Sequence, residues 1–280
     1  MSEANVPNDG ELTGRIALVA GGTQGIGRAS AARLARAGAV VVSCGLPDAH
    51  LDEARAGFAR DGLDVSCLAC DVSDASAVRR LIEEVTSRHG GLDILVNSAG
   101  IQRYGTVVET DEETWRQVLD INLTAMFLTC RTAIPHMIAR GGGAIVNVSS
   151  VQAFAAQAGS AAYAASKGAV NALTRALAVD HAHEGIRANA VCPGSVDTPM
   201  LRWAAAQHDD GGDPDALVAA WGAGHPLGRV AEPAEVAEAV CFLAGPRGSF
   251  VTGAALRVDG GLTAGLAAPL SPRTKTTSHA

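Results

Sequence analysis

The chain has 280 residues, of which 32 are glycine, with apolar residues at 48% and charged residues at 18%. That excludes an intrinsically disordered chain, which is poor in apolar residues, and collagen, whose glycines keep a triplet period. The formal net charge of −7, without any cluster of Lys and Arg, argues against nucleic acid as a partner, because phosphates call for a basic stripe.

No run approaches the about 18 uninterrupted apolar residues of a membrane span. The opening MSEANVPNDGELTG is polar and acidic, and the closing Ser278-His279-Ala280 matches no lipidation or retention signal. A cytoplasmic protein that does not engage a membrane is expected.

Strands and helices alternate along the chain. Residues 15–22 read as a buried strand, 26–38 as a helix ended by Gly38, and 39–44 as a second strand. A helix over 48–62 has Asp48 as its cap, 64–72 is a third strand, and the helix from 73 to 90 has Ser73 as cap candidate. A fourth strand over 92–100 precedes a long helical stretch over about 111–139, and 143–150 is a fifth strand. A helix over 160–183 and a strand over 186–193 follow. Residues 198–230, with Gly211-Gly212 and Pro214, read as irregular; a helix over 232–245 and a strand over 254–258 close the pattern.

Such alternation predicts an α/β fold: a doubly wound parallel sheet of Rossmann type with helices on both faces. No Pro, Gly or Ser-rich linker divides the chain, so one domain is expected over 13–264, with flexible tails at 1–12 and 265–280.

Cys67 and Cys70 form a C-x-x-C pair. On a strand, residues three apart face opposite sides, so the pair reads as two buried thiols and no metal is expected.

Three motifs carry chemistry. The first strand runs into Gly21-Gly22-Thr23-Gln24-Gly25-Ile26-Gly27 and then a helix. Glycines let a backbone approach a pyrophosphate, and the helix N-terminus offers free N–H groups. At the end of the second strand, where an acidic residue would bond the adenosine ribose, stands Gly45, followed by Leu46. A 2′-phosphate would want a cation, and 39–54 contains neither Lys nor Arg. NAD is therefore favoured over NADP, with Arg28 and His50 keeping the second option open. Finally, Tyr163 and Lys167 stand four apart on a helix, sharing a face, and Ser150 ends a strand thirteen residues earlier. An ammonium nearby favours a phenolate, so such a tyrosine can exchange a proton with an alcohol or carbonyl.

Together these motifs resemble the short-chain dehydrogenase/reductase family, in its large classical branch, over about Gly14 to Gly261. Ala20-Gly21 to Gly27 is similar to the family's T-G-x-x-x-G-I-G turn, with Ala20 for Thr. Asp71-Val72 resembles the pair whose Asp meets the adenine, and Asn97-Ser98-Ala99-Gly100 resembles N-N-A-G, with Ser98 for the second Asn. Asn122 matches the tetrad asparagine beside Ser150, Tyr163 and Lys167, and Pro193-Gly194-Ser195-Val196-Asp197-Thr198 resembles the segment that meets the nicotinamide carboxamide.

The resemblance implies an NAD(P)-dependent oxidoreductase that interconverts a secondary alcohol and a ketone. It implies Tyr163 as general acid/base, Ser150 as orienter of the substrate oxygen, and Lys167 on the nicotinamide ribose. Asn122 would support a proton-relaying water. Cofactor contacts fall on Gly21, Thr23, Gln24, Gly25, Ile26, Gly27, Asp71, Val72, Asn97, Ala99, Gly100, Tyr163, Lys167, Pro193, Gly194, Val196 and Thr198.

The family layout puts Gln102, Arg103, Gln152, Gln157 and Trp203 in the substrate pocket. Three amides and an arginine favour a sugar, polyol or hydroxy acid. A 3-oxoacyl-thioester (acyl carrier protein) reductase is the alternative, and a non-catalytic nucleotide-binding protein a further one. Family members pair their helices into oligomers, so a homo-oligomer, a tetramer, is expected.

Overall fold

Seven short apolar strands lie parallel in one sheet, in a computed structural model that describes residues 10–208 and 213–265. The first half runs β1 (Ile16–Ala20), α1 (Gly25–Arg36), β2 (Val40–Gly45), α2 (Ala49–Arg60), β3 (Val65–Ala69), α3 (Ala75–His89) and β4 (Ile94–Asn97). The second runs α4 (Glu112–Leu119), a π-helical turn (Asp120–Thr124), α5 (Ala125–Ala139), β5 (Gly143–Val148), α6 (Ala161–His181), β6 (Ile186–Pro193), α7 (Pro199–Gln207), α8 (Pro214–Ala223), α9 (Pro233–Ala244) and β7 (Ala255–Val258).

The strand order is β3-β2-β1-β4-β5-β6-β7. The winding reverses between β1 and β4, and a crevice opens there past the C-terminal ends of the strands.

Alternation along β1 sorts its side chains. Ala17 and Val19 join a core with Leu34 of α1, Phe58 of α2 and Val240 of α9. Ile16, Leu18 and Ala20 join the opposite core with Ile82 of α3, Ala133 of α5 and Ile145. Both faces are covered, which is why the strands are apolar throughout. Cys67 belongs to the first core and Cys70 to the second, on opposite sides as strand geometry requires.

At the N-terminal edge, Asp93 binds the layers together. Its carboxylate accepts from the Ile16 N–H at 2.9 Å and pairs with Arg15 and Arg140, both at 3.1 Å. The crevice edge is thus left to other work.

The structure alters four expectations. Asp74 caps α3, accepting from the Ser76 N–H; Ser73 instead donates to Asp71, closing a turn. Residues 198–230 are not irregular but hold α7 and α8, each opened by a proline in its first turn. The long helix over 111–139 is interrupted by the π turn. Leu12, assigned to a flexible tail, is 1% exposed and packs in the first core. The rest of that tail up to residue 9, the tail from 266, and Gly211-Gly212 lie outside the described residues. Among the described residues no helix is long and apolar enough to cross a membrane.

Candidate active site

The glycine turn closes until backbone touches backbone. Gly21 has φ +77°, and a Cβ there would stand 2.4 Å from the Ala99 nitrogen; one on Gly27 would stand 2.0 Å from the Gly21 oxygen. Gly21 and Gly22 both donate to the Cys44 carbonyl at 3.0 Å, tying the turn to the end of β2. Gln24 opens α1 without a side-chain cap, and the first turn, which includes Ile26, carries no acidic residue. Its free N–H groups therefore face no competing negative charge, which suits an anion. A Cβ on Gly25 would lie 3.1 Å from Thr198, so this turn meets the segment after β6.

Around the crevice, the Asp71 carboxylate holds the Ser73 turn and Val72 is buried beside it. Ala99 and Gly100 continue from β4, with the Ala99 N–H bonded to the Ala20 carbonyl at 3.0 Å. The Asn97 side chain ties strands together: its amide donates to Asn147 on β5 at 2.9 Å and accepts from Thr129 at 2.7 Å. It supplies the link between β4 and β5 that Ser98, standing in place of Asn, does not.

At the end of β2, a Cβ on Gly45 would stand 2.7 Å from the Thr23 side chain, so Thr23 fills the space an acidic residue would need. Arg28 lies over the Phe58 ring, 5.7 Å from its centroid, and His50 stands 3.5 Å from Glu53. Asp48 caps α2.

Ser150, Tyr163, Lys167 and Asn122 converge past β4 and β5. All four are buried. Ser150 lies near enough to Tyr163 to lower its phenol, and its hydroxyl accepts from the Gln152 N–H at 3.1 Å. Lys167 Nζ donates to the Val148 carbonyl at 2.9 Å and lies 5.4 Å from the Tyr163 ring centroid. Asn122, seated by the π turn, accepts from the Ile101 N–H at 2.8 Å and donates to the Ile101 carbonyl at 3.0 Å and to Ser166 at 3.1 Å. A Cβ on Gly100 would meet Asn122 at 3.3 Å and Lys167 at 3.6 Å, so Gly100 leaves room between them.

Burial governs the protonation of this group. It pushes the Tyr163 phenol up to about 12, against the lowering effect of nearby Ser150, and it lowers Lys167 to about 8. The expected lowering of the phenol by Lys167 does not appear in this arrangement. Tyr163 is a neutral acid here.

The five predicted substrate residues do not act alike. Gln152 donates to Gln157 at 3.2 Å and accepts from Ser160 at 2.6 Å, so these two amides hold their own loop. Gln102, 6% exposed, has an Nε2 without any acceptor. Arg103 donates to the Gln102 carbonyl at 2.8 Å and lies 5.8 Å from the Trp203 ring centroid.

Two contributors escape sequence reading. His225 accepts from the Ser195 N–H at 3.1 Å through Nε2, while Nδ1 meets the Trp221 carbonyl at 2.9 Å. It braces the Pro193–Thr198 segment, in which Val196 is buried and Thr198 caps α7. A Cβ on Gly194 would stand 2.8 Å from that ring. Tyr104 stacks on Trp203 at 6.1 Å and meets His208 edge-on at 4.2 Å. Neither contact follows from spacing in the chain; both need α7 and α8 folded back over the crevice.

Comparison with known proteins agrees with this geometry. A family model described as enoyl-(acyl carrier protein) reductase matches residues 20–263. The chain is 44% identical over 252 residues to the cis-4-hydroxycyclohexanecarboxylate dehydrogenase of Sinomonas cyclohexanicum, covering 89% of this chain and 97% of that one. Its structure resembles ligand-free aldohexose dehydrogenase of Thermoplasma acidophilum, with a TM-score of 0.86, 35% identity, and 94% and 99% of the two chains covered. It also resembles a variant of actinorhodin polyketide ketoreductase with NADPH, with a TM-score of 0.85, 36% identity, and 89% and 97% covered. A glycine cradle at the switch point, a buried Ser–Tyr–Lys–Asn group beside it and matches along almost the whole chain lead to one conclusion: this protein belongs to the short-chain dehydrogenase/reductase family.

Proposed function

We propose that the protein is an NAD-dependent dehydrogenase of a sugar, polyol or hydroxy acid, with Tyr163 as its general acid/base. Membership of the family makes it an NAD(P)-dependent oxidoreductase of secondary alcohols and ketones. The observation that carries the assignment of roles is the burial of Tyr163 together with Ser150 and with Lys167, whose Nζ lies 5.4 Å from the Tyr163 ring centroid.

The residues present fit a dinucleotide. A Cβ at Gly21 or Gly27 would fill the cradle that backbone forms against backbone, and the α1 N-terminus faces it without acidic residues. Gly21, Thr23, Gln24, Gly25, Ile26 and Gly27 would hold the pyrophosphate, with Asp71 and Val72 on the adenine side. Ala99, Gly100, Pro193, Gly194, Val196 and Thr198 would hold the nicotinamide side. When bound, the dinucleotide supplies the hydride donor or acceptor.

The chain's own groups handle the proton. Ser150 holds the substrate oxygen in place; Tyr163 as the phenol donates its proton to the developing alkoxide of a ketone being reduced, and as the phenolate takes the proton of an alcohol being oxidised. Lys167, anchored on the Val148 carbonyl, presents a cation next to the phenol and to the cofactor ribose. Asn122 holds Ile101 and so keeps the site wall at its distance from Lys167.

NAD is the better fit at the end of β2. A 2′-phosphate needs a cation, yet Gly45 and Leu46 offer none, Arg28 lies on Phe58 and His50 is beside Glu53. The six buried free cysteines suit a reducing compartment, and we place the enzyme in the cytoplasm. Exposed Trp115, Phe127 and Val179 on α4, α5 and α6, with Leu256 on β7, support a homotetramer. A monomer by light scattering at micromolar concentration would refute that.

Absorbance at 340 nm with NAD or NADP and a panel of secondary alcohols tests the function. Turnover with NAD above NADP is expected. Turnover restricted to 3-oxoacyl thioesters would favour the thioester reductase, and binding of NAD without turnover of any alcohol or ketone would favour a nucleotide-binding protein.

A further inference from the structure

We infer that Arg103 selects the substrate, and that the substrate carries a carboxylate on the side away from its reacting carbon. This rests on the dehydrogenase reading and adds the charge of the molecule that enters.

Residues 101–105 form one wall of the site, held at both ends by elements that carry the reacting groups. Asn122 grips Ile101 at one end. At the other, the Gly105 N–H donates to the Gly159 carbonyl at 2.7 Å and Gly105 bridges Ser160, three residues before Tyr163. Two neighbouring donors on this wall have spare N–H groups. Gln102 Nε2 is buried with no acceptor among the described residues, an unfavourable state that a ligand oxygen would relieve. Arg103 spends one nitrogen on the Gln102 carbonyl and, among the described residues, pairs with no carboxylate. By contrast Arg202, on the same helix as Trp203, is taken up by Asp197 and Asp215, each at 2.8 Å.

The Arg103 guanidinium lies 5.8 Å from the Trp203 ring centroid, and Trp203 stacks with Tyr104. An aromatic ring in this range attracts the cation without using up its N–H groups. Through the bridge from Gly105 to Ser160, Tyr104 and its neighbours are tied to the start of the helix that carries Tyr163. A planar carboxylate offers two oxygens to the Arg103 fork and a third bond site to the Gln102 amide. A phosphate would want a second cation. Gln152 and Gln157, which would have served a polyol, are bonded to one another and to Ser160.

The test uses the NAD-loaded enzyme and a series of aliphatic and cyclic hydroxycarboxylates, each against its own primary amide. The acid should exceed the amide in kcat/KM by about 30- to 100-fold, mostly through KM, as expected for a charge-assisted forked bond. Arg103→Met should bring the two within about threefold, and Arg103→Lys, which keeps the charge but not the fork, should fall between. Tryptophan fluorescence gives a readout apart from turnover: cyclohexanecarboxylate should quench it in the wild type and not in Arg103→Met.

Equal use of acid and amide by the wild type, or a preference unchanged in both variants, would overturn the inference and leave the dehydrogenase standing. Absence of turnover with every alcohol and either coenzyme would overturn the dehydrogenase reading. The quenching titration would then still decide whether Arg103 binds a carboxylate.

Discussion

Burying an ammonium without a carboxylate beside it costs stability, and Lys167 is buried with the Val148 carbonyl as its acceptor. Its pKa falls from 10.5 to about 8. Between those values the unfolded chain keeps a proton that the folded chain has lost. The penalty is therefore full below about pH 8 and fades as pH rises toward 10.5. Lys167→Met should stabilise the cofactor-free protein at pH 7, by at most about 3 kcal/mol, and the gain should shrink by pH 10. Denaturant midpoints at the two pH values measure it; a variant no more stable at pH 7 would contradict the burial argument. At this scale Tyr163, Lys167 and Ser150 were legible, because their spacing places them on one helix face and one strand end. That burial raises the Tyr163 phenol was not legible, since desolvation depends on every element packed around the group.

Among elements, the π turn between α4 and α5 decides where Asn122 points. It leaves the apolar pattern of 111–139 intact, which explains why the sequence reads as one helix. Asn122→Ala would leave the Ile101 N–H without its acceptor at one end of the site wall. A loss of about 1–3 kcal/mol in stability is expected, together with a fall in kcat/KM as residues 101–105 loosen; chemical denaturation and steady-state rates measure the two. Wild-type stability in the variant would mean that Asn122 does not hold the wall. α7 and α8 were missed for a related reason. Gly211-Gly212 and Pro214 read as irregular, yet a proline in the first helical turn, as at Pro199 and Pro214, gives up only an N–H that has no partner there, and Thr198 and Asp213 cap these helices. The same segments bring Trp203 and His225 to the site, so the substrate side was the least legible part.

At the scale of the whole molecule, alternation of apolar runs with amphipathic helices was enough to foresee the doubly wound sheet, because burial on both faces forces it. The parallel strands bring the glycine turn, Gly45, Asp71, Gly100, Ser150 and Pro193 to one edge, while Asp93 secures the other. Chemistry and stability are thereby separated: the crevice edge holds the buried Tyr163 and Lys167, whose cost the remainder of the fold offsets. On the proposed mechanism, turnover depends on the Tyr163 hydroxyl and cofactor binding does not. The decisive measurement compares wild type with Tyr163→Phe, recording NADH formation at 340 nm on an accepted alcohol and NADH affinity by fluorescence. Turnover should fall by about 10²–10⁴-fold, the usual worth of a general acid/base, with affinity for NADH retained. Turnover within about tenfold of wild type, well short of that contribution, would contradict the role of Tyr163 as the proton carrier.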